Sequence, residues 1–360
     1  MLNSPVGRGE GEHPFAGTVG KNMKSAVVMA GLSVVFGVVG LLIVAGRAVF
    51  QPETYLFTHY QPGLALLALL AFLATWLAPV FRIQILCREH VAVPFGRALL
   101  VQLATSFGAA VTPGKSGAGV AGTAALSTLG LSVGQGFNLA VQQALLDLAF
   151  YSFALPLSLA YIVLSGKFQL PLSLELAGLI LSVGFAVAVA FKRRLPRLLL
   201  RGARWAVRRP LPGRVKRWLR RATLDYYRSA HVGLELSRAE WFGAHLATAV
   251  GWLSNYFLLW TLLQLDGAEA ALPAVLAIVT LVSLTANVVP TPGGSGFTEV
   301  VVGLATQAQS SSRVAAALLL WRLGTFYLIY LVGPLVSWLL YRTRSPLPAQ
   351  IRPNLKERDA

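Results

Sequence analysis

Two short segments carry the residue types from which an anion site could be built: Thr112-Pro113-Gly114-Lys115-Ser116-Gly117 and Thr291-Pro292-Gly293-Gly294-Ser295-Gly296. Pro113 and Pro292 lack an N–H and stop the helix before them. Gly114, Gly117, Gly293, Gly294 and Gly296 permit unusual dihedrals and close approach to the backbone. Ser116 and Ser295 stand where a helix cap belongs. A helix that starts at membrane depth leaves unpaired N–H groups and a partial positive charge. Two such starts facing each other would hold a phosphate. The plainer reading is a pair of packing kinks. The matched occurrence, once per half of the chain, favours paired binding elements.

Four charges lie inside apolar stretches: Lys115, Asp147, Glu299 and Arg322. Such charges are costly in lipid and line a pathway or pair internally. Lys115 is placed to contact an anionic headgroup. Asp147 lies mid-stretch and is a candidate partner for Lys115. Glu299 has two readings: it stabilises the start of its helix, or it is a protonatable coupling group, since burial raises a carboxylate's affinity for protons. Arg322 also has two: its guanidinium holds a phosphate bidentately, or it pairs with Glu299 or Asp147. Arg82 and Arg97 are expected to snorkel at the interface, and His245 to be a hydrogen-bonded structural residue. Gly114-Lys115-Ser116 is not a P-loop. That motif needs a Gly where Ala109 stands, on a loop after a strand. No metal-ligand spacing, cofactor motif or nucleophile–base arrangement stands out.

The elements that must position these residues are apolar helices. Hydrophobic residues make up 55% of the chain and charged residues 12%, against about 25% charged in soluble domains. Residues 25–46 and 62–81 are uncharged and long enough to cross a bilayer, which takes about 20 residues. Full spans are expected at 24–46, 62–82, 137–165, 170–191, 240–265 and 313–341. The fold class is therefore an all-α polytopic membrane protein, with about six spanning helices. Gly37 and Gly40 mean close helix packing. The single Cys87 rules out an internal disulfide. Net charge is +17, and residues 192–221 hold thirteen Lys or Arg and no acid. In a membrane protein that run stays cytoplasmic and lies on anionic lipid, so nucleic acid is not the expected partner.

Parity then sets the topology. With the N-terminus and the basic loop both inside, 97–131 must enter and leave on the cytoplasmic face. By the same count 271–309 enters and leaves on the outer face. Both become re-entrant helical hairpins with Pro-Gly turns near the midplane. The chain divides into a disordered cytoplasmic tail (1–23), a first repeat (24–165), a second repeat of opposite orientation (166–341) carrying a basic cytoplasmic loop (192–239), and a cytoplasmic tail (342–360). This is an inverted repeat.

Val289-Pro290-Thr291-Pro292-Gly293-Gly294-Ser295-Gly296-Phe297-Thr298-Glu299 resembles the second signature of the lysylphosphatidylglycerol synthase transmembrane-region family. Trp321-Arg322-Leu323 is similar to the arginine that follows it. Phe81-Arg82, Arg97, Pro113-Gly114 and Gln143 to Asp147 resemble the first half of the pattern. Where that family commonly has an acid after the first turn, this chain has Ala118, Gly119 and Val120. The resemblance spans residues 24–341 and implies a lipid flippase-like domain in a bacterial inner membrane. Larger relatives fuse it to a synthetase or glycosyltransferase. Because the sequence ends nineteen residues after Tyr341, the translocating part alone is expected. The expected partner is a membrane phospholipid or polyprenyl lipid. The substrate site would comprise residues 113–117 and 292–296 with Arg322. The alternatives are an integral-membrane lipid-modifying enzyme and a scaffold for a separate synthetase.

Overall fold

The computed structural model describes residues 28, 31–40, 42–43, 61–88, 90–166, 172–191, 236–268, 270–287, 289–306 and 311–342, with scattered positions between 194 and 227. Helices run in the order α1 (Gly31–Gly40), α2 (Pro62–Cys87), α3 (Phe95–Ala110), α4 (Gly117–Ser127), α5 (Val133–Ser165), α6 (Leu172–Ala190), α7 (Arg238–Leu265), α8 (Leu272–Thr285), α9 (Phe297–Thr306), α10 (Ser311–Arg322) and α11 (Leu328–Arg342). A π-helical turn, Leu323–Tyr327, joins the last two. The protein is an all-α, multi-pass membrane protein. Among the described residues, α2, α5, α7 and Ala316–Leu340 are long and apolar enough to cross a bilayer. The tails, much of the first expected span and most of the basic loop lie outside the described residues.

Local chemistry explains the helix boundaries. Ser132 and Gln135 form a reciprocal capping box that starts α5, and Ser237 and Glu240 do the same for α7, each satisfying otherwise orphaned N–H groups. Gly166, at φ 61°, ends α5. Pro79 lies inside α2 and Pro156 inside α5. Gly251 on α7 packs against Pro79, where a Cβ would stand at 3.5 Å from the ring, ordinary contact distance.

Helix directions follow from side-chain pairs. Asp147 meets Trp252 and Tyr151 meets Tyr256, both 105 residues apart, so α5 and α7 run parallel. Arg82 meets Thr248 and Arg88 meets Glu240, so α2 runs antiparallel to α7. One apolar core gathers α2, α7, α8, α9 and α10 around Leu259, Leu263, Val302 and Leu318. A second packs α2, α3, α4, α5, α7 and α11 around Val80, Ala98, Leu126 and Leu139.

Each Pro-Gly segment forms a tight turn between two helices. Gly108 on α3 and Gly117 and Ala121 on α4 touch with no room for a Cβ at Gly108, so the first hairpin closes on glycine. The two turns meet. Pro113 and Pro292 form an isolated antiparallel bridge, and the Gly293 N–H donates to the Thr112 carbonyl at 3.4 Å.

Candidate functional site

The two turns share one backbone plan. Gly114 and Lys115 have φ of 58° and 54°, and Gly293 and Gly294 have 59° and 76°. Lys115 thus occupies the position that Gly294 holds in the other turn. It is the one non-glycine residue with positive φ among the described residues. A left-handed conformation costs an L-residue about 1–2 kcal/mol, so a strained position carries the only charge in either turn, a pattern that gathers at functional sites.

The hydroxyls of Ser116 and Ser295 do not cap the following helices. Each donates back to the proline carbonyl of its own turn, at 3.0 Å and 2.9 Å. Capping falls to other groups. Thr112 Oγ1 accepts from the Gly117 N–H at 2.7 Å. In the second turn Glu299 Oε2 accepts from the Gly296 N–H at 2.7 Å, the carboxylate half of a capping box. Glu299 thereby takes over the role of Thr112, and the hydroxyl of Thr291 is buried without a hydrogen-bond partner among the described residues. The N–H groups of Lys115, Ser116 and Ala118, and of Gly294, Ser295 and Thr298, bond to carbonyls of their own turns. The donors left open to an anion are therefore chiefly side chains.

Glu299 is fully buried. Its Oε1 accepts from Arg322 Nε at 2.6 Å and from the Tyr327 hydroxyl at 2.9 Å. The guanidinium of Arg322 also lies 4.1 Å over the Phe326 ring, a favourable cation–π placement. Arg322 is 6% exposed, and its Nη2 has no hydrogen-bond partner among the described residues. One arm of the fork is fixed and the other is buried without a partner among the described residues. The π-helical turn that follows Arg322 presents Phe326 to Gly293, where a Cβ would overlap the ring.

Asp147 does not pair with Lys115. Its Oδ1 accepts from Arg82 Nη1 at 2.7 Å and from Trp252 Nε1 at 3.0 Å. Arg82 does not snorkel either: it is 9% exposed and also reaches Thr248 and Gln143. Burial of an unpaired guanidinium is prohibitive, so the partner is obligatory. Lys115 makes no ion pair among the described residues. It lies within electrostatic reach of both Asp147 and Arg322.

Sequence reasoning missed the hydroxyl cluster that ties the two hairpins together. Tyr330 Oη lies 2.6 Å from Ser33 Oγ and 2.9 Å from the Ala110 carbonyl. Ser33 in turn meets Ser295 Oγ and the Pro292 carbonyl. Helix α1 fits against the second turn because Gly40 has no side chain: a Cβ there would come within 2.8 Å of the Gly296 carbonyl. The signal available in sequence was the spacing of Ser33, Gly37 and Gly40 along one helix face.

A family model described as the lysylphosphatidylglycerol synthase TM region matches residues 25–333. The chain belongs to that family. The match takes in both Pro-Gly turns, the Arg82–Asp147 and Arg322–Glu299 ion pairs and Tyr330. Membership in the lysylphosphatidylglycerol synthase TM family ties the protein to membrane lipids. No curated protein matches the chain. Among the described residues no group of His, Cys, Asp and Glu could hold a metal ion.

Proposed function

We propose that this protein moves a lipid across the bilayer, with a phosphate-bearing headgroup held at the seam where the two Pro-Gly turns meet. The observation that carries the reading is Arg322: a guanidinium buried at the second turn, fixed through Nε and left without a partner at Nη2 among the described residues. Charge-assisted bonds of this kind are the strong ones. Lys115 supplies the second positive group from the opposing turn. Residues 113–117 and 292–296 form the walls, and the unpartnered hydroxyl of Thr291 adds a donor. The two hairpins belong to inverted halves that rock to expose the site alternately. The first turn is exposed at Pro113 and Ser116 while Pro292 to Ser295 are buried. On this reading the conformation opens on the side of the first hairpin, the cytoplasmic side of a bacterial inner membrane by the positive-inside rule.

The test uses purified protein in liposomes containing a fluorescent phosphatidylglycerol, with a quencher added outside. Wild type speeds exchange of the label between leaflets. Arg322→Lys keeps the charge but loses the fork that lets one guanidinium serve Glu299 and a headgroup together, and slows exchange by about tenfold or more, the range for one charge-assisted hydrogen bond. No exchange by wild type with anionic, aminoacylated or polyprenyl lipids would end the transport reading.

A further inference from the structure

A cavity of about 740 Å³ lies between α5, α7 and α8. Its floor is built from small or buried residues, among them Ala149 at 8% and Ala277 at 2% exposure. Its rims stand clear into the surrounding bilayer: Phe153 is 72% exposed, Leu157 71% and Phe242 68%. The groove is therefore deep and opens sideways, toward lipid.

Its length is set by the helices. The pairs Asp147–Trp252 and Tyr151–Tyr256 fix α5 and α7 at an offset of 105, which puts Phe242 level with residue 137. From that level to Tyr161 is about 36 Å at 1.5 Å per residue. The hydrocarbon core of a bilayer is about 30 Å. The groove thus runs through the whole apolar thickness.

Polar groups are few in the lining, and three of them, Ser158, Thr280 and Tyr256, are engaged within the protein, while Tyr161 stands at the far end. Ser158 Oγ donates to the Ala154 carbonyl at 2.7 Å, and Thr280 Oγ1 to the Leu276 carbonyl at 2.7 Å. Tyr256 Oη is engaged with Tyr151 Oη. A mostly apolar wall whose mid-groove hydroxyls are already satisfied recognises hydrocarbon, not a headgroup. The lining borders polar groups: Leu146 adjoins Asp147, which lies within electrostatic reach of Lys115, Leu253 adjoins Trp252, and α8 leads toward the second Pro-Gly turn.

The geometry points to a binding site for the acyl chain of the lipid whose headgroup lies at the seam of the turns. This rests on the transport reading. It goes beyond it, because the chain is held by protein during the passage instead of trailing in bulk lipid. Helices from both halves build the groove, so rocking the halves moves chain and headgroup together.

The probe is phosphatidylglycerol with a diazirine in one acyl chain, doped into phosphatidylcholine vesicles containing the whole protein. Labelled residues are located by mass spectrometry. Leu331, 79% exposed on α11, reports ordinary surrounding lipid. Labelling at Ala154, Leu276 and Ala277 should exceed labelling at Leu331 and saturate at a lower probe fraction. Ala277→Trp, which fills the floor, should cut groove labelling about tenfold, as expected when several methylenes lose their contacts, with Leu331 unchanged. Ala154→Leu is the milder second variant, and a retained melting temperature shows that each folds. Equal labelling of groove and Leu331, unaffected by either variant, would reduce the site to surrounding lipid and overturn the proposal. So would a covalent dimer formed by a photoreactive residue placed at 277, which would put a second copy in the groove. Labelling reads occupancy without transport. A labelled groove in a protein that moves no lipid would keep this site and sink the transport reading. Transport with an unlabelled groove would do the reverse.

Discussion

Lys115 accepts backbone strain to place a charge where the other turn has Gly294. Replacing it with glycine should relieve about 1–2 kcal/mol of left-handed strain, offset by about 0.5–1 kcal/mol of extra backbone entropy in the unfolded chain. The expected result for Lys115→Gly is a small rise in melting temperature together with slower lipid exchange. A loss of both would show that the lysine is structural. Glu299 has the opposite character. It accepts from Gly296, Arg322 and Tyr327 with no exposure to solvent. Glu299→Gln should lower stability by about 3 kcal/mol, because it strands a buried guanidinium. The melting curve in detergent checks this, and Glu299→Gln combined with Arg322→Gln should recover part of the loss. Sequence alone listed Glu299 among Arg322's possible partners. It could not choose, because the choice between Glu299 and Asp147 is made by tertiary packing.

At the scale of elements, the Pro-Gly breaks were legible because proline and glycine act locally on the backbone. The hairpins at 95–127 and 272–306 follow from them. Side-chain pairing across the fold was not legible. Arg82 finds Asp147 across 65 residues, and Ser33 finds Ser295 across 262. Nothing in the neighbourhood of either residue encodes the partner. The serine caps were misread for a related reason. Ser116 and Ser295 have the right type and position, but their prolines offer a carbonyl at closer reach. Gly293 tests the closeness of the second turn to α10 and α11. Gly293→Ala puts a Cβ at positive φ and into the Phe326 ring, so it should cost about 2–4 kcal/mol through strain and overpacking together. Gly166→Ala, also at positive φ but with open space around it, should cost only the strain, and comparison of the two melting temperatures separates the terms.

For the whole molecule, the two turns differ in exposure although they share a plan. Ser116 is exposed and Ser295 is buried. A cysteine at 116 should react with a water-soluble maleimide from one side of the membrane, and a cysteine at 295 should not. Cys87 is buried and gives little background. Conditions that drive the protein to its other state should reverse the pattern, and equal reactivity at both positions would mean that the site is open throughout. The last helix bears on this through the π-helical turn at Leu323–Tyr327. Such a turn is commonly one residue inserted into an otherwise regular helix. A descendant that lost one residue there would gain a straighter helix with a better hydrogen-bond ladder. It would also swing Tyr330 by about 100° about the axis, away from Ser33 and Ala110. By that arithmetic, drift toward the more regular helix is also drift away from the contact that joins the two turns, and the irregularity persists in a lineage only while that contact is under selection.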